Sequence, residues 1–168
     1  HGNYPAHAAA LRRALDLSES SASALADRLR TMPSNAACAA VEAQGGLCVP
    51  VRAERPRVDA ALRLDPVIRV ERLDRGPRIA LPSPTASAPL SGVRVLDLTR
   101  VIAGPVCTRT LALAGADVLR IDPPDLPEFA WQHLDTGHGK RSALLDVGGE
   151  RALFDTLLAD ADVVVLGY

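Results

Sequence analysis

Apolar positions are densest in the second half of the chain, where they follow the spacing of buried strands and helices. Residues 93–98 and 118–121 are short apolar runs, which predict two buried strands. Between them, Gly104-Pro105 opens a predicted helix that ends at Gly115, because proline suits a first helical turn and glycine a helix end. The pattern predicts a βαβ unit, and its first turn, residues 98–105, is where such a unit binds a ligand.

The same alternation of strands and helices continues to residue 168. Apolar positions predict a third strand over 142–146, a helix over 150–159 and a fourth strand over 163–166, whereas 125–138 is predicted as a loop. The predicted fold class is therefore α/β, with a Rossmann-like parallel-sheet half-domain over residues 90–168.

The first half of the chain has a different pattern, which predicts a helical segment with a small β-hairpin over residues 1–81. Residues 82–89 hold three prolines among small side chains, which predicts an extended linker. The predicted elements before the linker are helices over 8–17, 22–32 and 36–43 (the last capped by Ser34 or Asn35), a strand over 47–51, one or two helical turns within 58–64, and hairpin strands over 67–73 and 78–81.

Composition narrows the class of protein. Apolar residues make up 48% of the chain but aromatic residues only 3%, so the core is expected to consist of Ala, Val and Leu. With 19 basic and 20 acidic residues, the net charge of −1 gives no electrostatic case for nucleic acid or an anionic membrane as a partner. No apolar run approaches the roughly 20 residues that span a bilayer.

Cysteine and histidine positions predict neither disulfides nor metal. Cys38, Cys48 and Cys107 are odd in number and far apart in sequence, so we expect buried, inert thiols in a reducing cytoplasm. The four histidines lack metal-ligand spacing, so no metal is predicted. Because the chain starts at His1 and stops just after an apolar strand, we expect it to be a piece of a longer polypeptide.

Two places in the second half could bind a ligand. At the turn 99–105, free N–H groups and the helix dipole favour a phosphate or carbonyl oxygen. An NAD site, with Asp122 on the ribose, and a tight turn without ligand stay open as alternatives. At a strand start, Lys140 and Arg141 could pair with phosphate oxygens or simply face solvent. Asp97 is expected to hydrogen-bond locally.

Four motifs in order resemble the family III CoA-transferases, also called the CaiB/BaiF family. The resemblance covers about half of the chain, from Pro89 to Tyr168; a weaker one links residues 1–88 to the distal small domain of the family. That order suggests a long or tandem form in which one copy's tail precedes the next copy's head. The motifs are Val93-Arg94-Val95-Leu96-Asp97-Leu98 with Ala103-Gly104-Pro105, Gly115-Ala116-Asp117-Val118, Gly139-Lys140-Arg141-Ser142, and Ala161 to Val165.

The resemblance implies transfer of coenzyme A between carboxylic acids through an aspartyl anhydride and an enzyme-CoA thioester. The attacking aspartate would lie downstream of this chain, so no catalytic residue is assigned and the chain alone is expected to be inactive. Racemisation of acyl-CoA and an inactive tandem half that serves as a scaffold stay open. An interlocked homodimer is implied for the full-length protein. The residues implied to contact CoA, with the two cations added for their charge, are Ile102, Ala103, Lys140, Arg141, Leu145, Asp146, Gly167 and Tyr168.

Overall fold

The computed structural model describes residues 1–19, 21–73 and 85–167. The chain divides into two compact units, His1–Arg72 and Leu73–Tyr168. The predicted linker over 82–89 stays a prediction as a boundary, because residues 82–84 and the predicted hairpin strand 78–81 lie outside the described residues. Its described part is not extended as predicted, since the Ala88 N–H donates to the Thr85 carbonyl at 3.2 Å and closes a turn.

The first unit is helical. Its elements are α1 (Pro5–Leu15), α2 (Ala22–Arg30), α3 (Ser34–Ala43) and α4 (Pro56–Leu62). The sequence predicted all four within a few residues. Helices α1 and α3 pack together and bury a small aliphatic core that consists of Ala10, Leu15, Ala37 and Val41.

Three predictions for this unit are wrong. Residues 47–51 and 67–73 form no strand, and the apolar side chains of Val51 and Val67 are fully exposed. Alternating apolar and polar residues form a stable strand only beside a partner strand, and the described residues of this unit provide none. Ser34 and Asn35 do not cap α3 from outside, since both lie within its first turn and Pro33 holds the cap position.

The second unit contains a four-stranded sheet in which every strand pair is parallel, in the order β3-β2-β1-β4. This confirms the predicted α/β fold class. The strands are β1 (Arg94–Leu98), β2 (Asp117–Asp122), β3 (Lys140–Leu144) and β4 (Val163–Leu166), and the helices are α5 (Ala103–Leu113), α6 (Ala130–Thr136) and α7 (Arg151–Asp160).

Strand periodicity divides the core of this unit between the two faces of the sheet. In β1, Val95 faces α5, where it packs with Val118 and Leu111. Leu96 and Leu98 face α7 and pack there with Phe154. Both faces of the inner strands β1 and β2 are therefore covered, as expected for a parallel sheet.

Helix α6 was predicted as a loop, and that prediction is wrong. The helix buries Gln132 and Thr136, and its large apolar residues Trp131 and Leu134 are exposed. A helix that buries polar side chains shows no apolar stripe in its sequence. Strand β3 also begins at Lys140, two residues before the predicted start.

A buried ion pair joins three elements on the α5 face. The Lys140 ammonium in β3 donates to Asp97 in β1 at 2.9 Å, to the Pro105 carbonyl at 2.9 Å and to the Thr108 hydroxyl of α5 at 2.7 Å. Both charged side chains are at most 1% exposed. Burial lowers the pKa of Lys140, and Asp97 opposes that change. Asp97 also accepts hydrogen bonds from the N–H and hydroxyl of Thr99, which confirms the expectation that it bonds locally.

We expect Lys140→Met to lower the free energy of unfolding by about 3 to 5 kcal/mol, because it leaves the Asp97 carboxylate buried without a cation. Adding Asp97→Asn should recover part of this loss. Urea unfolding of the unmodified chain, the two single variants and the double variant measures the coupling energy between Lys140 and Asp97. The matched control is the exposed pair Arg141–Asp117, 2.6 Å apart, for which about 0.2 to 1 kcal/mol is expected. Equal coupling in both pairs would contradict the assignment.

The three thiols have different environments. Cys107 is exposed, which contradicts the expectation that it is buried. It lies in α5, whose inward face is taken by Thr108 and Leu111. Cys38 and Cys48 are partly buried, and their sulfur atoms lie 3.5 Å apart. Burial and then the Cys48 contact raise the pKa of Cys38 above its ordinary 9.0.

We predict that Cys107 reacts before Cys38 with a thiol reagent at mildly alkaline pH. The raised pKa of Cys38 keeps less of it as thiolate, the reactive form, and its side chain is less accessible. Stopped-flow absorbance with Ellman's reagent measures the phases, and Cys107→Ser should remove the fastest one. A fast phase that survives in Cys107→Ser and disappears in Cys38→Ser would reverse the order.

Candidate functional site

The candidate site lies at the edge of the sheet where all four strands end. The order β3-β2-β1-β4 means that the chain builds outward from β1 to β3 and then returns to the other side of β1. The direction in which strands are added to the sheet therefore reverses between β1 and β4, which leaves a crevice at the carboxyl ends of these two strands. Open α/β sheets bind ligands at such a switch point.

A cleft of about 370 Å³ opens at this edge on the α7 face of the sheet. Its walls are apolar apart from backbone groups and one ionisable side chain, that of Asp146. Such a surface suits an uncharged, partly apolar ligand segment better than a phosphate. The lining residues are Leu98, Ile121, Pro123, Leu145, Asp146, Val147, Gly148, Phe154 and Leu166.

Thr99, which directly follows β1, sets the position of the first turn. Its N–H and hydroxyl both donate to Asp97, and it is completely buried. A Cβ on Gly104 would lie 2.3 Å from the Thr99 Cβ, and one on Gly167 would lie 3.2 Å from it. The turn after β1 and the chain after β4 therefore come together because both carry glycine where they meet Thr99.

Val101, in the same turn, has a φ of 68°, which is unfavourable for a β-branched residue. Its N–H donates to the Glu128 carboxylate at 2.9 Å. Glu128 is buried and lies 4.0 Å from the Arg100 Nε and 3.8 Å from the Arg120 Nη2. A backbone conformation that costs about 1 to 3 kcal/mol is thus held by a buried acid between two cations.

The loop after β3 is closed by Asp146. Its Oδ1 accepts the Gly148 N–H at 3.0 Å, and its carbonyl accepts the Glu150 N–H at 2.8 Å. A Cβ on Gly149 would lie 2.6 Å from the other carboxylate oxygen. Asp146 therefore shapes the loop with one oxygen and leaves part of its carboxylate at the cleft.

The structure brings five of the predicted site residues to this edge. Ile102 and Ala103 are exposed at the start of α5, Gly167 is exposed beyond β4, and Asp146 and Leu145 line the cleft. Leu145 is itself buried and offers the cleft only a small part of its surface. Tyr168 lies outside the described residues.

Lys140 and Arg141 are not at this edge. They open β3, and the start of a parallel strand lies at the opposite edge from its end. The Lys140 ammonium is fully engaged in the core, and Arg141 forms a double contact with Asp117 at the start of β2. A contact between either side chain and a CoA phosphate stays a prediction that the geometry does not support.

The sequence analysis missed both the cleft and the buried acid Glu128. A signal for the cleft existed, because Leu98 and Leu166 are the last residues of two paired strands and lie on the same face. Glu128 lies in a segment without periodicity, so nothing local marked it. Within the described part of the chain, no group of His, Cys, Asp and Glu side chains could hold a metal ion.

The comparisons with known proteins point to one family. The protein-family model for CoA-transferase family III matches residues 90–168 of this chain. These residues build the sheet and all four loops of this edge. The segment belongs to CoA-transferase family III. This confirms the resemblance seen in the sequence motifs.

Several curated relatives share this family III segment. Acetyl-coenzyme A transferase nodX of Hypoxylon pulicicidum is 46% identical over 82 residues, which cover 48% of this chain and 14% of that protein. Succinyl-CoA:mesaconate CoA-transferase of Haloarcula hispanica is 39% identical over 96 residues, or 47% of this chain and 24% of that protein. The chain thus spans a quarter or less of the length of these relatives.

A third relative matches more of the chain. CoA-transferase/lyase DddD of a Marinomonas strain is 34% identical over 116 residues, which cover 64% of this chain and 14% of that protein. Residues 90–168 are under half of the chain, so this match also includes part of the segment before residue 90. Among solved structures, a CAIB/BAIF family protein from Brucella suis matches 49% of this chain and 26% of its own, at 32% identity and a TM-score of 0.43.

We predict that Gly104→Ala lowers the free energy of unfolding by about 1 to 3 kcal/mol, because its Cβ would overlap buried Thr99. Gly148→Ala is the matched control in the same edge, since its Cβ would only reach 3.4 Å from Asp146, and a change within about 0.5 kcal/mol is expected. Urea unfolding followed by circular dichroism measures both. A Gly104→Ala variant as stable as the unmodified chain would contradict the close approach.

Proposed function

We propose that this protein acts as part of an acyl-CoA:carboxylate CoA-transferase, and that its family III segment forms one wall of the CoA site. The observation that carries the proposal is the family match to residues 90–168, which are the residues that build the switch-point edge and its cleft. The names of all three relatives cited above contain a CoA-transferase activity, which supports the same reaction class.

The shape and polarity of the edge support CoA as the ligand. The apolar cleft, with backbone groups at its rim, suits the uncharged pantetheine arm. Exposed Ile102 and Ala103 begin α5, where unpaired N–H groups and the helix dipole favour a phosphate oxygen. Leu145, Asp146 and Gly167 complete the proposed contacts from the loops after β3 and β4.

Two buried aspartates of this segment are not free to attack a thioester, since Asp97 is paired with Lys140 and Asp122 is bonded to Arg120. Asp146 keeps one carboxylate oxygen at the cleft, where we propose that it contacts CoA. On the resemblance to the family, we propose that the attacking aspartate lies downstream of this chain, and that residues 1–168 alone do not transfer CoA.

The proposed reaction has two halves, and a thioester or an anhydride is present at every stage, so no other energy source is needed. The aspartate oxygen attacks the acyl-CoA carbonyl, and the CoA thiolate leaves to give an aspartyl-acyl anhydride. The thiolate then attacks the aspartyl carbonyl of the anhydride and releases the donor acid as a carboxylate. The incoming carboxylate repeats these steps in reverse order, so it leaves as the new acyl-CoA and the aspartate is regenerated.

The first unit is proposed to be the distal part of a preceding family III copy in a long or tandem form. The match to CoA-transferase/lyase DddD, which extends before residue 90, supports this arrangement. We further propose an interlocked homodimer for the full-length protein, and the cytoplasm as its location. None of the described helices is long and apolar enough to cross a bilayer.

We predict that CoA binds the isolated chain weakly, at about millimolar affinity or near −4 kcal/mol, because only one wall of the site is present. A titration with CoA, followed by amide shifts in ¹H–¹⁵N spectra, should perturb Ile102, Ala103, Asp146 and Gly167. Leu166→Asp places a charge in the apolar cleft and should abolish these shifts. Leu113→Asp, at another exposed leucine on the far end of α5, should leave them unchanged.

Shifts confined to other residues, or equal loss in both leucine variants, would refute the proposed CoA wall. The reaction class needs the full-length protein, incubated with an acyl-CoA and a ¹³C-labelled carboxylate and analysed by mass spectrometry. Label in a new thioester supports transfer. Exchange of the α-proton in deuterated water without label transfer would identify a racemase, and neither reaction would identify an inactive scaffold.

A further inference from the structure

A second cavity lies on the opposite face of the sheet from the apolar cleft. It has a volume of about 270 Å³, much more than the roughly 30 Å³ that one water occupies in the liquid. It opens between α6 and the strands β2 and β3. The lining residues are Arg120, His133, Leu134, Gly137, His138, Lys140 and Ser142.

Arg120 carries the argument for a ligand in this cavity. Its side chain is 1% exposed, and its Nη2 donates to Asp122 at 2.8 Å. Its Nε and Nη1 have no hydrogen-bond acceptor among the described residues. Buried guanidinium donors without acceptors are strongly unfavourable, so an acceptor from outside the described chain is expected beside them.

The other lining residues indicate that this acceptor is negatively charged. Four of the seven lining residues are basic and none is acidic. Ser142 pairs with Arg120 in the register of β2 and β3, so both side chains stand on the same face of the sheet, and both residues line the cavity. The His138 Nδ1 lies 3.0 Å from the Asp135 carbonyl.

The acids nearest to these basic residues lie outside the cavity lining. Asp97 holds Lys140 within the core, and Asp122 contacts Arg120 and lies 4.0 Å from the His133 Nδ1. Glu128 lies 3.8 Å from the Arg120 Nη2. These acids neutralise much of the positive charge, so the binding expected here is weak and depends on the donors of Arg120 and Ser142.

We propose that this cavity is a binding site for a small oxyanion, either a phosphate group or a carboxylate, that accepts hydrogen bonds from Arg120 and Ser142. The site is separate from the proposed CoA wall: it uses the α6 face and the start of β3, whereas the apolar cleft uses the α7 face and the strand ends. It therefore stands or falls independently of the transferase proposal.

The test is a titration of the chain with inorganic phosphate at constant ionic strength, followed by ¹H–¹⁵N spectra that include the Arg120 Nε–H signal. We expect saturable shifts of that signal and of the Gly137, His138 and Ser142 amides. Parallel titrations with acetate and succinate separate the two sources, since a carboxylate site prefers them to phosphate. Saturation by neither anion would overturn the proposal and leave water as the acceptor.

Two variants with the same change in charge test the position of the site. Ser142→Asp places a carboxylate beside Arg120, where it should take the free donors and weaken anion binding by about tenfold or more. Ala143→Asp places the same carboxylate on the next residue of β3, on the opposite face, and should leave the dissociation constant within about twofold. Both positions are exposed, so neither variant disturbs the core. Equal effects of the two variants would overturn the proposal.

Discussion

The arrangement of the second unit depends on the carboxylate of Asp97. One of its oxygens accepts the N–H and hydroxyl of Thr99, and the other accepts the Thr108 hydroxyl and the Lys140 ammonium. These four contacts fix the end of β1, the first turns of α5 and the start of β3 to one point. Since Thr99 in turn contacts the two glycines of the neighbouring loops, the geometry of the candidate site follows from a group that never faces the ligand.

The two faces of the sheet bury different kinds of side chain. Charges are buried on the α5 and α6 face, where Asp97 pairs with Lys140, and Arg120 pairs with Asp122 and lies 3.8 Å from Glu128. The α7 face is aliphatic and opens into a cleft at the strand ends. A parallel sheet permits this division because successive side chains along each strand point to opposite faces.

The sequence predicted the second unit well because its signals are local. Apolar runs mark β1, β2 and β4, and Gly104-Pro105 and Gly115 mark the limits of α5. Helix α6 escaped prediction because it buries Gln132 and Thr136 and exposes Trp131. The pattern was misleading at 67–73, where apolar and polar residues alternate but the described residues include no neighbouring strand.

The same contrast holds for the candidate site. Ile102, Ala103, Asp146 and Gly167 were predicted because they lie next to recognisable motifs, and the structure brings them to one edge of the sheet. Lys140 and Arg141 were added for their charge, although the sequence already predicted them at a strand start, which lies at the edge opposite the strand ends. Glu128 acts on Val101 across 27 positions of sequence, and only the fold brings the two together.

The two edge strands of the sheet differ in how readily they would pair with a strand of another molecule. Within the described residues, β3 and β4 each pair on one side only. The outer strand β3 begins with Lys140 and Arg141, and the exposed charge of Arg141 discourages edge-to-edge association. The strand β4 is Val-Val-Val-Leu, short, uncharged and rich in β-branched residues, which is the composition of an aggregation-prone edge. Recombinant work on this segment would therefore benefit from a charged substitution in β4, at a position facing away from the cleft.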